Sequence, residues 1–406
     1  MIRRPLIAIV AFPFLISSAW SQAATRIRDA ADAIGLNFGL ATSANQVRDT
    51  TSTYAVDAKT QYNFAVCEND MKFDNTEGPI GTFKYTGGDG LSAFCVANKM
   101  KMRGHNFIWH SQSNTASGAV HDRTSGLTVM RNHITAVGGH FKDKILEWDV
   151  LNETQSAGTS SFWYKGIGAD YTDSALAIAR SVIGTSGYLY SNDYGADGVN
   201  SKSTAILTQA KKWQSSKVPI DGIGFQCHLG HGINKADISA NIKRFGDIGL
   251  RVSLTEIDIT QATTADWTAL VGACVENWNC TSFVTWGLTD ASSWIGSTCG
   301  CLLYNGNPPT PKNDMISAVL AALAAADPAV AAKRKAFIAI PPGSLGPNID
   351  QVLQRPLAHR SAEVLFGASS VRIFSTPNGN AIDALGRNRA LIPVSSNLPG
   401  LGILPQ

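Results

Sequence analysis

Eight short apolar runs rich in β-prone residues recur between residues 37 and 290, and segments with helical patterns separate them. Alternation of strands and helices over about 250 residues is what a closed parallel barrel requires. We therefore predict an α/β fold, a (β/α)8 TIM barrel. A doubly wound open sheet alternates in the same way, but it usually carries a phosphate loop or a dinucleotide fingerprint, and the sequence has no convincing one. The predicted strands are 37–42, 63–68, 102–109, 145–151, 188–191, 222–226, 252–255 and 283–287.

Polar and aromatic side chains gather at the carboxyl ends of nearly all these runs. A barrel builds its active site at that face, from the ends of several strands at once. Polar residues scattered over a surface would not follow the strand ends so regularly. The sequence therefore predicts one active site, formed by residues 68–69, 109–112, 152–153, 192–194, 226–228, 256 and 286.

Two glutamates stand out among these residues. Glu153 ends the run I-L-E-W-D-V-L-N-E, and Glu256 ends the run R-V-S-L-T-E. Desolvating a carboxylate after an apolar strand costs free energy, so such a group is either paired or functional. A salt bridge at the barrel rim would explain one isolated glutamate. Two of them, among residues suited to binding sugars, instead favour cleavage of a glycosidic bond, which needs two carboxyl groups.

Seven sequence blocks, in order along the chain, resemble glycoside hydrolase family ten, the endo-β-1,4-xylanase family. They are E-N-D-M-K at 68–72, R-G-H at 103–105 with W-H-S-Q at 109–112, W-D-V-L-N-E at 148–153, N-D-Y at 192–194, G-I-G-F-Q-C-H-L at 222–229, T-E-I-D at 255–258 and W-G-L-T-D at 286–290 followed by Trp294. One such block alone is weak evidence, whereas seven in register are specific. The resemblance covers about residues 26 to 326, which include all eight predicted strands.

The resemblance implies a retaining endo-1,4-β-xylanase in which Glu153 is the acid/base catalyst and Glu256 is the nucleophile. Asn152 would bind the 2-hydroxyl of the sugar that is cleaved, a contact that strengthens in the transition state. His228 would orient Glu256 and balance its charge. This chemistry needs no cofactor and no metal.

Further residues of these blocks would bind the polysaccharide. Polar side chains of the first blocks would hold the donor-side sugars through hydrogen bonds to hydroxyl groups, and two tryptophans would offer flat apolar faces to sugar rings. The residues implied to bind the substrate are Glu68, Asn69, Lys72, His110, Gln112, Asn152, Tyr194, Gln226, His228, Trp286 and Trp294.

Four features depart from the family pattern. Phe73 stands where a tryptophan is usual, and Cys227 stands where a small residue is common. Residues 113–120 contain neither the proline nor the tryptophan that usually follow Gln112, and the loop after Glu153 is short. These departures touch loops that would bind the acceptor side of the polymer, and they leave the hydrolytic centre intact. Another β-glucan or a plant glycoside is therefore an alternative substrate.

Other classes of protein fit the sequence less well. A non-catalytic carbohydrate-binding barrel predicts the loss of a catalytic carboxylate, yet both glutamates are present. A metalloenzyme would need a ligand cluster such as H-E-x-x-H and a serine esterase would need G-x-S-x-G, and neither motif occurs. A net charge of only +3, without a long block of like charge, argues against a nucleic-acid partner. We expect a monomer whose partner is xylan.

The first 23 residues have the features of a secretory signal peptide. Arg3 and Arg4 precede an apolar stretch at 5–16, and small residues follow at 17–24, with cleavage expected near Ser21 or Ala23. A membrane anchor is the alternative, but a bilayer span takes about 20 apolar residues and this stretch is shorter. We predict a signal peptide at 1–23, a secreted protein and no membrane partner.

The rest of the chain divides in two by composition. We predict that the glycoside hydrolase barrel occupies residues 24–327, with its last helix at about 314–325. Residues 341–406 contain eight prolines and neither cysteine nor tryptophan, which disfavours a disulfide-rich binding module. We predict that residues 328–406 form a weakly ordered C-terminal extension.

Seven cysteines lie between residues 67 and 301, and secretion would allow them to oxidise. Cys274 and Cys280 flank a short segment, so we predict a disulfide between them. Cys299 and Cys301 could pair elsewhere but are not expected to pair with each other, given the geometry that a disulfide needs. The odd number leaves at least one free thiol in a monomer. A zinc site is disfavoured because C-x-x-C spacing and a histidine cluster are both missing.

Overall fold

The computed structural model describes residues 24–344 and short strands between residues 363 and 403. Eight parallel strands form a closed barrel, in which each strand pairs with the next and the eighth pairs with the first. The predicted (β/α)8 fold is confirmed. The barrel strands are β1 (Asn37–Thr42), β2 (Phe64–Cys67), β3 (Lys101–Ile108), β4 (Glu147–Asn152), β5 (Tyr188–Asp193), β6 (Gly222–Phe225), β7 (Arg251–Thr260) and β8 (Cys280–Thr285).

Helices connect the strands and cover the outside of the barrel. Capping side chains decide where several of them begin: Asp122 accepts the N–H of Ser125, and Asn200 accepts that of Ser203, each in a capping box. These two helices therefore begin at Arg123 and Ser201, directly after their capping residues. The helices are Ile27–Ile34, Thr53–Gln61, Phe73–Thr76, Thr86–Ala97, Asn114–Ser117, Arg123–Phe141, Thr154–Ala157, Phe162–Ile167, Tyr171–Ile183, Ser201–Ser215, Lys235–Gly246, Thr264–Val275, Asn313–Ala324 and Pro328–Ile338.

The interior of the barrel contains a buried ionic cluster below the carboxyl ends of the strands. Arg103 donates hydrogen bonds to Glu147 at 2.5 Å and to Asp149 at 2.9 Å, and its guanidinium lies over the ring of Tyr190. His105, two residues further along β3, contacts the same Asp149 carboxylate at 3.0 Å. A buried charge is tolerated when it is paired in this way. His105 is thus part of the floor beneath the site.

The helix Pro328–Ile338 packs against the amino-terminal end of the barrel. Arg334 on this helix is fully buried and donates to the backbone oxygens of Val275, Asn277 and Cys280 at 2.8–3.1 Å. Its contacts place the helix inside the barrel domain, so the predicted boundary at residue 327 is too early. The helix was missed because its buried face, formed by Ala331, Arg334 and Phe337, has a charged residue in the middle of the apolar pattern.

The structure contains two disulfides, of which one was predicted from the sequence and one was not. The predicted Cys274–Cys280 bond is present. Cys299 and Cys301 also pair with each other, contrary to our expectation. Gly300 between them has φ +62°, which turns the chain so that the two Cα atoms lie 5.1 Å apart, within the range that a disulfide spans. Cys67, Cys95 and Cys227 are free and buried.

The predicted signal peptide at 1–23 lies outside the described residues, as does most of the chain beyond residue 344. What is described beyond 344 is a set of short antiparallel strands, so the prediction of weak order there stays a prediction. They pair as Glu363–Phe366 with Ser369–Arg372, Phe374–Ser375 with Ala381–Ile382 and Asn388–Arg389, and Ile392–Pro393 with Gly402–Ile403.

No single helix among the described residues is long and apolar enough to cross a membrane. The helices Asn313–Ala324 and Pro328–Ile338 reach that length and composition only as a pair, and the chain bends by 86° between them.

Candidate active site

Glu153 follows β4 in a left-handed backbone conformation, with φ +56° and ψ +31°. This conformation costs a residue with a side chain about 1–3 kcal/mol, and such residues concentrate at functional sites. Two side chains bind its carboxylate: Trp109 Nε1 donates to Oε2 at 2.8 Å, and Gln226 Nε2 donates to Oε1 at 3.2 Å. The backbone N–H donates to the carbonyl of Asn192 at 2.7 Å. Both the turn and the carboxylate of Glu153 are therefore held in place.

Asp193, the last residue of β5, holds the chain just after Glu153. Its buried carboxylate accepts the backbone N–H groups of Gln155 at 2.9 Å and Ser156 at 3.3 Å. Lys202 Nζ lies 2.9 Å from the other carboxylate oxygen and balances the charge. Asp193 thereby supplies acceptors to the short helix Thr154–Ala157, and this helix fixes the direction in which Glu153 leaves the strand.

Glu256 lies in β7 and is almost completely buried. Asn192 Nδ2 donates to its Oε1 at 2.7 Å, and His228 Nε2 lies 3.4 Å from its Oε2. Its backbone N–H donates to the carbonyl of Gln226 at 2.9 Å. A buried carboxylate with donors on both oxygens is held ready in one orientation.

Asn192 connects the surroundings of the two glutamates. Its Nδ2 donates to Asn152 Oδ1 at 2.9 Å as well as to Glu256, and its Oδ1 accepts from Thr255 Oγ1 at 2.6 Å. Because an ionised carboxylate can only accept, the N–H₂ of Asn192 must face Glu256, and the same orientation turns it toward Asn152 and leaves Oδ1 for the Thr255 hydroxyl. The sequence analysis placed Asn192 at the active-site face, at the end of its predicted strand, but gave it no catalytic or substrate-binding role.

His228 bridges two carboxylates of β7. Its Nδ1 lies 2.9 Å from Asp258 Oδ2, and its Nε2 faces Glu256. Burial alone would lower the pKa of His228, but hydrogen bonds to Asp258 and Glu256 outweigh it and raise the pKa from 6.5 to about 10. His228 is therefore a cation at neutral pH. The predicted role beside Glu256 fits this position, and Asp258 is a further site residue that the sequence analysis missed.

Lys72 anchors a polar cluster on the β2 side of the site. Its ammonium donates to Asn69 at 2.9 Å and to Gln112 at 2.8 Å, and it lies over the ring of Trp109. Burial lowers the pKa of Lys72, although the charges of Glu256, Glu68 and Glu153 oppose the shift. Burial raises the pKa of Glu68, and the positive charge of Lys72 opposes this rise. The cluster therefore brings Glu68, Asn69, Lys72 and Gln112 together, and it lies within electrostatic range of both glutamates.

The predicted aromatic residues differ in exposure. Trp294 is 61% exposed and Tyr194 is 46% exposed, so both can present a face to a ligand. Trp286 is only 8% exposed and packs beside the rings of His105 and His228, so it forms the floor of the cleft rather than an open platform. His110 is exposed next to Trp109, in the neighbourhood of Asn152.

One group of possible metal ligands occurs among the described residues, formed by Asp290, Cys299 and Cys301. Both sulfurs are in the disulfide, and Asp290 is already paired with Lys312 at 2.6 Å. This group is therefore structural in the present state of the chain.

The arrangement suits cleavage of a glycosidic bond. Two carboxyl groups project from β4 and β7 into one polar cleft, and the negative charges of both act to raise the pKa of Lys72. One carboxylate is nearly buried and supported by a cation, which favours a nucleophile. The other is partly exposed at the rim, where it can exchange protons with a leaving group or water.

Comparison with protein families gives one match over most of the barrel. The model of glycosyl hydrolase family 10 matches residues 26–319. Endo-1,4-beta-xylanase C of Phanerodontia chrysosporium is 33% identical over 280 residues, which are 65% of this chain and 69% of that protein. Endo-1,4-beta-xylanase 2 of Claviceps purpurea is 35% identical over 244 residues, 59% of this chain and 74% of that protein.

Solved structures give the same result. A glycosylated endo-beta-1,4-xylanase of family 10 from Gloeophyllum trabeum superimposes with a TM-score of 0.67 at 33% identity, covering 74% of this chain and 99% of that one. Xylanase 10B from Thermotoga petrophila RKU-1, solved with xylobiose, superimposes with a TM-score of 0.69 at 27% identity, covering 75% and 98%.

Proposed function

This chain belongs to glycosyl hydrolase family 10, and from that premise we propose that it is a secreted, retaining endo-1,4-β-xylanase with Glu153 as acid/base catalyst and Glu256 as nucleophile. The observation that carries the assignment of residues is the contact of Asn192 with Glu256 and Asn152, together with the bond from the Glu153 N–H to its carbonyl. Through Asn192, three groups needed for one displacement share a single rigid support.

In the first step the Glu256 carboxylate attacks the anomeric carbon of the sugar. The bond from that carbon to the glycosidic oxygen breaks, and Glu153 gives its proton to the departing oxygen. His228 supports the nucleophile as a cation on the far side from Asn192. Asn152, whose oxygen is occupied by Asn192, keeps its amide N–H₂ for the 2-hydroxyl of the sugar.

In the second step the roles of Glu153 reverse. Its carboxylate takes a proton from water, the water oxygen bonds to the anomeric carbon, and Glu256 leaves as a carboxylate. Trp109 and Gln226 hold the Glu153 carboxylate in the same place for both steps. Two inversions at one carbon retain the configuration.

The remaining predicted residues provide binding sites along the chain of sugars. The polar cluster around Lys72 offers amide, ammonium and carboxylate groups to hydroxyls on the donor side. Trp294 and Tyr194 offer exposed rings. Of the departures from the family pattern, Phe73 and Cys227 are fully buried, so differences in substrate preference belong to residues 113–120 and to the loop after Glu153.

Secretion is a proposal that rests on other observations, and the monomeric state stays an expectation from the sequence. The Cys274–Cys280 and Cys299–Cys301 disulfides suit an oxidising compartment. The predicted signal at 1–23 provides the route. The N-terminal sequence of the protein recovered from culture medium should begin close to residue 22 or 24, and full-length protein retained in the cells would contradict secretion.

The test of the function is the release of reducing sugar from β-1,4-xylan and from a soluble β-1,4-glucan, with Glu256→Gln as the inactive control. We expect rapid release from xylan, an early fall in viscosity that marks internal cleavage, and loss of both in the variant. Release from the glucan alone would move the substrate to the alternative class. Activity on neither polymer, from a folded protein, would contradict the proposal.

A further inference from the structure

The loop after β8 carries Trp294, and the contacts of its indole are not those of a simple binding platform. Trp294 Nε1 donates to Asp258 Oδ2 at 2.8 Å. His228 Nδ1 lies 2.9 Å from the same oxygen. The ring is 61% exposed while its N–H points inward. Trp294 therefore joins the substrate-facing surface to the group that supports Glu256.

Asp258 depends on these two donors. Its side chain is 1% exposed, and its second oxygen, Oδ1, is buried without a hydrogen-bond partner among the described residues. A buried carboxylate left with fewer donors bears a large desolvation cost. Without the indole N–H, His228 would be the one side-chain donor that Asp258 keeps in this part of the chain.

The position of His228 decides how well Glu256 is supported. His228 Nε2 lies 3.4 Å from Glu256 Oε2, which is longer than its 2.9 Å contact with Asp258. The imidazole is therefore already drawn toward Asp258. The charged groups that act on His228 are Glu256 and Asp258 of β7 and Asp197 in the loop after β5. A stronger pull from Asp258 would weaken the contact with Glu256.

The loop that carries Trp294 is fastened to the strand that carries both carboxylates. The N–H groups of Ile259, Gln261 and Ala262, at the outer end of β7, donate to the carbonyls of residues 301, 299 and 300 at 2.9–3.2 Å. The Cys299–Cys301 disulfide closes this segment, and Asp290 accepts the N–H groups of residues 301 and 302. These contacts anchor the loop on both sides of Trp294 and so fix the position of its ring above Asp258.

We propose that Trp294 is a positioning residue for the nucleophile in addition to a sugar platform: its indole N–H shares the charge of Asp258 and so leaves His228 free to support Glu256. This inference rests on the proposed glycosidase function and extends it. A sugar stacked on the exposed face of Trp294 would then contact the same side chain whose N–H acts, through Asp258 and His228, on the charge of Glu256.

The test separates the ring from its N–H by comparing Trp294→Phe with Trp294→Ala on xylohexaose. Trp294→Phe keeps an aromatic face, so we expect KM within about twofold of wild type, kcat lower by about 5- to 10-fold, and the acid limb of the kcat/KM profile moved to higher pH. Trp294→Ala should in addition raise KM. Trp278→Phe, a half-buried tryptophan against Phe337 at the other end of the barrel, is the matched control.

A second comparison identifies the route. In an Asp258→Asn background, Trp294→Phe should add less than about twofold, because both changes act through one contact. Wild-type kcat and an unchanged pH profile in Trp294→Phe would overturn the inference and leave Trp294 as a platform only. Multiplicative losses in the double variant would also overturn it. Failure of the wild-type enzyme to cleave any β-1,4-glycan would instead refute the proposed function, together with this inference.

Discussion

Asn192 is the residue on which the geometry of the active site converges. Its side chain contacts Glu256, Asn152 and Thr255, and its carbonyl accepts from the N–H of Glu153. No other amide orientation would satisfy the hydroxyl of Thr255 and the carboxylate of Glu256 together. A rigid centre of this kind holds the reacting groups without reorganisation during the reaction.

The proposed role of Glu153 as acid/base catalyst predicts a dependence on the leaving group. In Glu153→Gln, kcat/KM for xylan should fall by about 10²- to 10⁴-fold because no acid protonates the leaving oxygen. For an aryl xylobioside with an acidic phenol, which departs without a proton, kcat/KM should stay within about tenfold of wild type. Glu276→Gln, at an exposed salt bridge with Lys235, is the control. Equal losses on both substrates would argue against Glu153 as the acid.

The raised pKa of His228 predicts a pH dependence of stability. A histidine whose pKa rises from 6.5 to about 10 on folding contributes stability that is complete below about pH 6.5 and is lost as the pH rises through about 10. The unfolding free energy of wild type should therefore fall more between pH 6 and pH 10 than that of His228→Asn. His231→Asn, an exposed histidine nearby, should behave as wild type. Parallel curves for all three proteins would contradict the ion pairs.

Among the elements, β6 and β7 shape the site most directly. β6 ends at Phe225, and Cys227 then adopts φ +62°, so the chain bends and His228–Gly230 pairs with the outer part of β7. The bend turns Gln226 toward Glu153 and His228 toward Glu256. Asp197 holds it by accepting the N–H of Cys227 at 2.9 Å. The bend at Cys227 thus lets the segment that follows β6 contact both glutamates.

The helix Pro328–Ile338 is the element that closes the opposite end of the barrel. Burial lowers the pKa of Arg334 to about 10, and backbone carbonyls rather than a carboxylate receive its N–H groups. Arg334→Met should destabilise the protein by about 3 kcal/mol or more, because several buried carbonyls lose their donor. Lys335→Met on the exposed face of the same helix is the matched control. Equal midpoints of urea unfolding in the two variants would contradict this account.

At the scale of the whole molecule, the strands were easier to predict than the site. Buried parallel strands bounded by polar residues are legible in the sequence, and 37–42 was predicted with the bounds that β1 has. β7 was predicted as 252–255 but continues to Thr260. The prediction ended too early because Glu256 and Asp258 interrupt the apolar pattern. Functional side chains on a strand look like the start of a loop.

The contacts within the site were less predictable because they depend on backbone turns. The positive φ of Glu153 and Cys227 determines which side chains meet, and neither residue type signals it. The same reasoning explains why Asp258 was not assigned to the site and why Trp109, although placed at the active-site face, was given no role there. It also explains the error at Cys299–Cys301, where Gly300 permits a turn that spacing alone did not suggest.

The cysteines allow a test of the covalent structure of the whole chain. Alkylation of the unfolded protein without reductant should label three of the seven cysteines, Cys67, Cys95 and Cys227, and prior reduction should make all seven reactive. Peptide mapping should show Cys299 and Cys301 unlabelled in the first sample. Five labelled cysteines, with both of these among them, would contradict the Cys299–Cys301 bond.

The most direct measurement of the central claim is the trapping of the covalent intermediate. In an activated 2-deoxy-2-fluoro-xylobioside, fluorine slows both steps because it destabilises the positive charge that develops at the anomeric carbon. The activated leaving group restores the rate of the first step only, so the glycosyl-enzyme forms faster than it hydrolyses. Mass spectrometry should show one fluoroxylobiosyl adduct per chain, located on Glu256, and no adduct in Glu256→Gln. A chain that hydrolyses xylan but forms no adduct, or carries it on another residue, would contradict the assignment of Glu256 as the nucleophile.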